Sequence, residues 1–343
     1  MSFFPPGKIP IGNMPLCIMR CRMGRGDNPL RVQDVSVIIV NYNGESVLDR
    51  SLNSVLSLDP RPLECILVDN GSTDKSLDVA QKFHDPLLRI LSLSENYGVA
   101  GGRNRGVAVA KGQVYAFLDS DGQATLSWLP AGVAVLAQNP AAGAIAPLVL
   151  MGSGDIINGA GSFLDAWGHG RDRLRGEPLD MHEGCVRAWR GQPVDYPMGC
   201  GMIIRRKGLE SIWPLDESMP KWHDDTEIGI RIRRLGYQVP FEPSSLVLHY
   251  PGHSDPREGR KRHQLAEMAR LLLLWKYYPF LSALGSTVHY SFFALSGSRR
   301  DPSYRQELWA AWTMLLKNRR KIRMIRHQWR KTMPLRHQSF HTR

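Results

Sequence analysis

Three apolar runs in the first third of the chain each stop abruptly at a polar cluster, and this repeated ending constrains the fold more than any other feature. Val35-Ser36-Val37-Ile38-Ile39-Val40 is a β-branched run that reads as a buried strand, and it stops at Asn41-Tyr42-Asn43-Gly44. Leu63–Val68 stops at Asp69-Asn70-Gly71-Ser72-Thr73-Asp74, and Val114–Leu118 stops at Asp119-Ser120-Asp121-Gly122. Between the runs, Val47–Leu58 carries apolar residues at 48, 52, 55 and 56, a helical period. A second helix is expected over Lys75–Phe83 and a strand over Arg89–Leu93. Strands alternating with helices at this spacing predict an α/β fold with a parallel, wound sheet. Ligands bind such sheets outside the carboxyl ends of the strands, where all three clusters lie.

Alternate residues of an extended chain share a face, so Asp119 and Asp121 can point the same way. Two anionic side chains at the end of a buried strand are costly unless something cationic lies between them. A divalent metal carrying a phosphorylated ligand meets that need, since Mg²⁺ and Mn²⁺ prefer oxygen ligands and bridge diphosphates. A hydrated Asp-Ser-Asp-Gly turn is the other reading. Upstream, Asn96–Gly106 is a glycine-rich segment that leads through Val107–Ala110 to the carboxylate strand. It is not a dinucleotide fingerprint, because no glycines fall at i, i+2 and i+5.

The second half is less regular. Residues 150–195 read as loops and short strands, and Tyr196–Arg205 as a glycine-hinged strand. Trp222–Glu227 opens a helix with Ile228, Ile232 and Leu235 on one face and Gly236 as its stop. Asp224 and Glu227 have capping-box spacing at its start. Val239–Leu248 then carries the chain to His249-Tyr250-Pro251-Gly252-His253.

The net charge of +12 is unevenly placed. Residues 251–343 hold 19 Lys/Arg against 5 Asp/Glu, whereas residues 1–250 hold 25 against 27. The excess basicity of the last quarter points to an anionic surface contacted there. Trp309–Lys331 mixes Trp309, Trp312, Leu315, Leu316, Ile322, Ile325 and Trp329 with clustered arginines, which suits either a helix lying on anionic lipid or a basic face packed on the rest of the chain. Tyr277–Gly297 lacks charged residues but is diluted by Pro279, serines, Thr287 and His289, so it is expected at an interface or in the core rather than across a bilayer. The five cysteines form no CxxC pair; a reducing cytosol is expected, with no disulfide framework or zinc site. Residues 1–33, rich in Pro and Gly, read as a flexible leader.

Taken in order, VSVIIVNYNG, LECILVDNGSTD, ENYGVAGGRNRG, FLDSDG, MGCGMII, HDDTEIGIRIRRLGY and LVLHYPGH resemble the motifs of the family 2 inverting glycosyltransferases, whose fold is GT-A. The resemblance covers roughly residues 34–255 and rests on the order and spacing of the pieces. It implies a mostly parallel sheet with flanking helices, divided into a nucleotide-binding half (34–122) and an acceptor half (123–255), with residues 256–343 as a basic helical extension. It implies that Asp69 accepts a hydrogen bond from a uracil or thymine base and that Tyr42 and Asn43 lie beneath that base. Asn96, Arg103 and Asn104 would line the nucleotide and sugar, with glycines 98, 101 and 102 letting the backbone approach. Asp119 and Asp121 correspond to the DxD pair that holds Mg²⁺ or Mn²⁺, with Ser120 between them at the nucleotide-sugar. His249 corresponds to a third metal ligand and His253 to a weaker candidate. Asp225 matches the catalytic base, although the family more often has Glu before the base and Asp two after it. Here those positions are Asp224 and Glu227, so either adjacent aspartate could serve, with Asp225 favoured.

The likeness is greatest to rhamnosyltransferase-like enzymes of bacterial surface-polysaccharide assembly. It therefore implies transfer of one sugar from a dTDP- or UDP-linked donor to a glycan or lipid-linked glycan, in the cytoplasm or on the inner face of the membrane. A processive synthase is disfavoured, since no QxxRW-like motif follows Asp225. Two rival classes remain: a catalytically silent nucleotide-sugar-binding scaffold, and a nucleic-acid-binding protein using the basic tail. The latter lacks any recognised RNA or DNA motif, so no nucleic acid is expected.

Overall fold

The computed structural model describes residues 29–219, 222–251, 259–297 and 303–332. The leader before residue 29, with Cys17 and Cys21, lies outside the described residues, as do His253 and the tail beyond residue 332. The first half runs β1 (Val35–Asn41), α1 (Leu48–Leu56), β2 (Glu64–Asp69), α2 (Ser76–Gln81), β3 (Leu88–Ser92), α3 (Gly98–Val109) and β4 (Val114–Asp119). Then follow β5 (Gly122–Ala124), α4 (Trp128–Gln138), β6 (Ala144–Met151), β7 (Ile157–Gly159), β8 (Ser162–Leu164), β9 (Gly170–Asp172), α5 (Glu183–Ala188), β10 (Ile203–Arg205), α6 (Asp224–Arg234) and β11 (Phe241–His249).

The main sheet is ordered β3-β2-β1-β4-β10-β6-β11-β5, with β7 paired to β6. Strands β3, β2, β1 and β4 are parallel, and β10 enters antiparallel between β4 and β6. Both faces are covered, which is why the strand sequences are continuously apolar rather than alternating. Val37, Ile39, Leu67 and Leu118 join a core with α1 and α4, while Ile38, Ile66, Val68 and Phe117 join one with Ala100 of α3 and Ile228 and Ile232 of α6.

The glycine-rich segment packs on the sheet through two of its glycines. It is helical, and a Cβ on Gly102 would lie 2.5 Å from Val40 Cγ1, one on Gly106 2.6 Å from Ile38 Cγ2. Each glycine costs about 1 kcal/mol of helix propensity relative to Ala. Here the missing side chains of Gly102 and Gly106 let α3 lie directly against β1. The Tyr196–Arg205 segment is strand only at its end, because Gly201 adopts φ +96° and its N–H bonds to the Phe117 carbonyl at 2.9 Å.

Beyond residue 258 come α7 (Gly259–Tyr277), α8 (Phe280–Gly297), α9 (Ser303–Lys317) and α10 (Arg319–Thr332). Leu271, Leu272, Leu273 and Leu274 of α7 are all buried, in a core shared with Leu164, Tyr196 and Ile230 of the preceding region. The extension is thus built onto the sheet-bearing part. The basic stretch expected as one amphipathic helix is two helices, and Ile322, Ile325 and Trp329 of α10 are buried in that same core. No helix among the described residues is long and apolar enough to cross a membrane.

Candidate active site

Strand register assembles the acidic site. Asn41 pairs with Asp69 across β1 and β2, and Val40 with Asp119 across β1 and β4, so three strands end side by side in polar groups. Strand β5 runs antiparallel to β11 with Gly122 opposite His249, which brings His249 Nε2 to 3.2 Å from Asp121 Oδ1. Side-chain donor atoms of Asp119, His249 and Cys200 lie within 4.8 Å of one another.

Burial, Asp121 and Asp224 push the Asp119 carboxyl above its ordinary range against the pull of Arg103 and His249. Burial works against a charged His249, but its hydrogen bond with Asp121 and the charge of Asp119 outweigh it and raise its pKa. His249 Nδ1 lies 3.4 Å from Asn158 Nδ2; with the amide turned to present its oxygen, Nδ1 becomes a donor, and a cation would take the place of the proton that Nε2 shares with Asp121. Two carboxylates whose mutual repulsion is only partly relieved, plus an imidazole, form a donor set that fits Mg²⁺ or Mn²⁺.

Cys200 was not foreseen here. Its thiol is buried and its pKa is raised by burial and by the charges of Asp119 and Asp121. A sulfur at this distance matters for soft cations and little for hard ones. Cys200→Ala is expected to leave Mg²⁺ affinity within about threefold while weakening Zn²⁺ by roughly tenfold or more, as read by calorimetric titration.

The second half of the site is organised by Arg103 of α3. Its guanidinium is buried, ion-pairs with Asp224, lies 3.5 Å from Asp119 and donates to the Gly199 carbonyl at 3.4 Å. Asp224 is thereby committed to Arg103, not to a capping box: no side chain caps α6, and Glu227 turns to Arg231 and Tyr277. The helix instead starts from Trp222 and His223, both at positive φ (73° and 66°), a strained entry of the kind held in place by surrounding structure at functional sites. Asp225 keeps partial exposure; its Oδ2 accepts from Gly199 N–H at 3.1 Å and its Oδ1 from Thr226 N–H at 2.6 Å. Burial first, and Asp224 second, raise its carboxyl to about 7.

The remaining predicted residues lie around the same strand ends, mostly engaged with one another. Asp69 is 1% exposed and accepts from Ser72 Oγ (2.6 Å), Asn41 Nδ2 (3.1 Å) and the Ser72 N–H (3.2 Å), a side-chain-closed turn around Gly71. Asn43, at φ 52°, accepts from Thr73 N–H at 2.8 Å, while Tyr42 is exposed. Asn96 Oδ1 accepts from Asn70 Nδ2 and from Gly98 N–H. Asn104 is bonded to Leu215 through both of that residue's backbone groups and to Glu217 at 3.0 Å. Ser120 is half-buried beside Gly44.

A wound sheet with an inserted antiparallel strand, carboxylates at the end of β4 and a strand-borne histidine beside them define the GT-A class of glycosyltransferase fold. GalNAc-T7, solved with UDP, GalNAc and Mn²⁺, superposes with a TM-score of 0.54 at 22% identity, over 71% of this chain and 48% of that one, a likeness of fold alone. The model of Glycosyl transferase family 2 matches residues 36–213, and the chain belongs to that family. It is 32% identical over 184 residues to an uncharacterized glycosyltransferase of Nostoc, covering 53% of this chain and 54% of the relative, so it spans about half that protein's length. It is 26% identical over 240 residues to an N-acetylglucosaminyl-diphospho-decaprenol L-rhamnosyltransferase of Mycobacterium tuberculosis, covering 65% of this chain and 78% of the relative.

Proposed function

We propose that this chain is a metal-dependent, inverting, non-processive glycosyltransferase that moves one sugar from a dTDP- or UDP-linked donor to a glycan or lipid-linked glycan at the cytoplasmic face of the cell membrane, in surface polysaccharide synthesis. The single observation that carries this reading is the division of labour between adjacent aspartates. Asp224 is tied to Arg103, and Asp225 is left partly exposed with its carboxyl raised to about 7. A carboxylate poised there suits a general base at neutral pH. Rhamnose is the favoured sugar, in view of the mycobacterial relative's name.

In this reading residues 34–122 take the donor and residues 123–255 the acceptor. Tyr42, Asn43 and Asp69 lie at the base, and Asn96, Arg103, Asn104 and Ser120 beside the nucleotide-sugar. Asp119, Asp121 and His249 would hold Mg²⁺ or Mn²⁺, and the metal when bound would supply the charge that lets a diphosphate leave without an acid. Asp225 removes the acceptor hydroxyl proton as its oxygen bonds to C1, which inverts that carbon. The Gly199 N–H keeps Asp225 Oδ2 directed, and Arg103 holds the start of α6 against the strand that carries Asp119. A silent scaffold has no use for a carboxylate so poised.

The test is a screen of nucleotide sugars for thermal stabilisation with Mg²⁺ or Mn²⁺, followed by measurement of nucleoside diphosphate release. Release is expected to require the metal and to fall by roughly 10–100-fold or more in Asp121→Asn, in line with the loss of a charged metal ligand. Metal-dependent donor binding without turnover on any glycan or glycolipid acceptor would assign the chain to the scaffold class.

A further inference from the structure

We propose that α8 and α9 together form a face that docks on the surface of an anionic lipid bilayer. On α8 the exposed residues Leu281, Leu284, Val288, Phe292 and Leu295 recur at i, i+3, i+7, i+11 and i+14, a single stripe about 21 Å long at 1.5 Å per residue. On α9, Trp309, Trp312 and Leu316 make a second exposed stripe at i, i+3 and i+7. The stripes adjoin: Trp312 Nε1 donates to Ser291 Oγ at 3.3 Å, and the rings of Phe293 and Tyr304 meet at 6.0 Å. Leu281 (78%), Trp309 (74%) and Phe292 (73%) are the most exposed of these. Contiguous apolar surface of this extent marks an interaction site.

The charge around it selects the partner. Helix α8 has no charged residue, and among the described residues the one acid of α8–α10, Glu307, is buried. The exposed charged side chains there, including Arg305, Lys317, Arg319 and Arg323, are all cationic. A second copy docking about a two-fold axis would set these cations against one another, with no exposed acid among the described residues of α8–α10 to answer them. Aliphatic side chains and tryptophans on helices whose exposed charges are cationic match the boundary between headgroups and acyl chains of an anionic leaflet. The opposite side of α8, with Ser286, Thr287 and Tyr290 buried, packs on the protein, so the helix lies along the surface. The position differs from the sequence expectation, since α10 turns its tryptophan inward and α8 supplies most of the face. The inference rests on the proposed function for its purpose, as a lipid-linked acceptor is presented at such a surface.

The experiment is co-sedimentation of the full chain with phosphatidylcholine vesicles containing phosphatidylglycerol, over a range of NaCl, with Phe292→Glu and Trp309→Glu as separate variants. Binding is expected at low salt. It should fall by at least about tenfold on pure phosphatidylcholine, in high salt and in either variant, with the melting temperature unchanged because both positions are exposed. Undiminished binding by both folded variants, or no binding of the intact chain to anionic vesicles, overturns the inference. So does a dimer, seen by light scattering, that either substitution dissolves. Donor turnover with a water-soluble acceptor is followed in parallel. Retained turnover with lost vesicle binding confirms that the face acts in docking alone, whereas vesicle binding without turnover leaves docking standing and removes the proposed function.

Discussion

Asp225→Asn is expected to lower sugar transfer by roughly 10²–10⁴-fold while leaving nucleotide-sugar affinity within about threefold, since the substitution removes a proton acceptor and keeps its shape. The pH dependence carries the same signature. With its carboxyl raised to about 7, Asp225 is ionised, and able to accept a proton, only as pH rises through that value. In the wild-type chain kcat/KM should therefore climb about tenfold per pH unit below neutrality and level off above about 8. Stability moves the other way. A carboxyl whose folded pKa lies above its unfolded value contributes stability that is fully present below about 4 and lost as pH rises through about 7. At pH 8 the ionised side chain is a burden on the fold, and Asp225→Asn should raise the melting temperature by about 2–4 °C for each kcal/mol relieved. Asp224→Asn should do the opposite, because it takes from the buried Arg103 charge the nearer of its two ion-pair partners and leaves only Asp119 at 3.5 Å. A variant of Asp225 that melts earlier and transfers at the wild-type rate would move the base elsewhere. Kinetics across pH 5–9 and calorimetric melting decide it.

The sequence made the sheet legible because burial on both faces demands unbroken apolar runs, and those runs are strong signals even at six residues. Residues 35–40, 63–68 and 114–118 proved to be β1, β2 and β4 within a residue or so at each end. Strand ends are equally visible, since a polar cluster after such a run has nowhere else to go. What a linear reading does not carry is the choice of partner across the fold. Arg103 and Asp224 are 121 positions apart, and nothing in either segment says that one neutralises the other. Local spacing misled at α6, where Asp224 and Glu227 matched a capping box but each had a stronger cationic partner on another element or turn. Glycine was ambiguous for a related reason. In α3 its lack of a Cβ serves contact with β1, and close approach to a ligand calls for the same residue. For Cys200 the one available signal was its place between Gly199 and Gly201 at the start of a strand leading away from the carboxylates.

The extension meets α6 through a buried charge cluster that supplies the largest expected effect on stability. Lys276 of α7 is fully buried, with Nζ 2.5 Å from Asp216 Oδ2 and 3.4 Å from Glu227 Oε1. Glu227 also accepts from Tyr277 Oη at 2.6 Å and from Arg231 Nη2 at 2.9 Å, and Lys321 of α10 closes on the other oxygen of Asp216. Burial alone would raise both carboxyls; Lys276 acting on Asp216, and Arg231 with Lys276 acting on Glu227, instead hold them below the usual range. Their stabilisation is present above about pH 4 and is lost as pH falls further. Lys276→Met fills similar space without charge and leaves two anions short of a counter-ion. It should destabilise the chain by about 3–5 kcal/mol. At 2–4 °C per kcal/mol that is a fall of roughly 6–20 °C in melting temperature. Because Glu227 lies two residues beyond Asp225 on α6, transfer should fall along with stability even at temperatures where the variant is folded. The double variant Glu227→Gln/Lys276→Met separates charge from packing. If the cluster acts as a unit, the pair should lose less than the sum of the single losses by about 0.5–3 kcal/mol, and strict additivity would reduce Lys276 to a space-filling side chain.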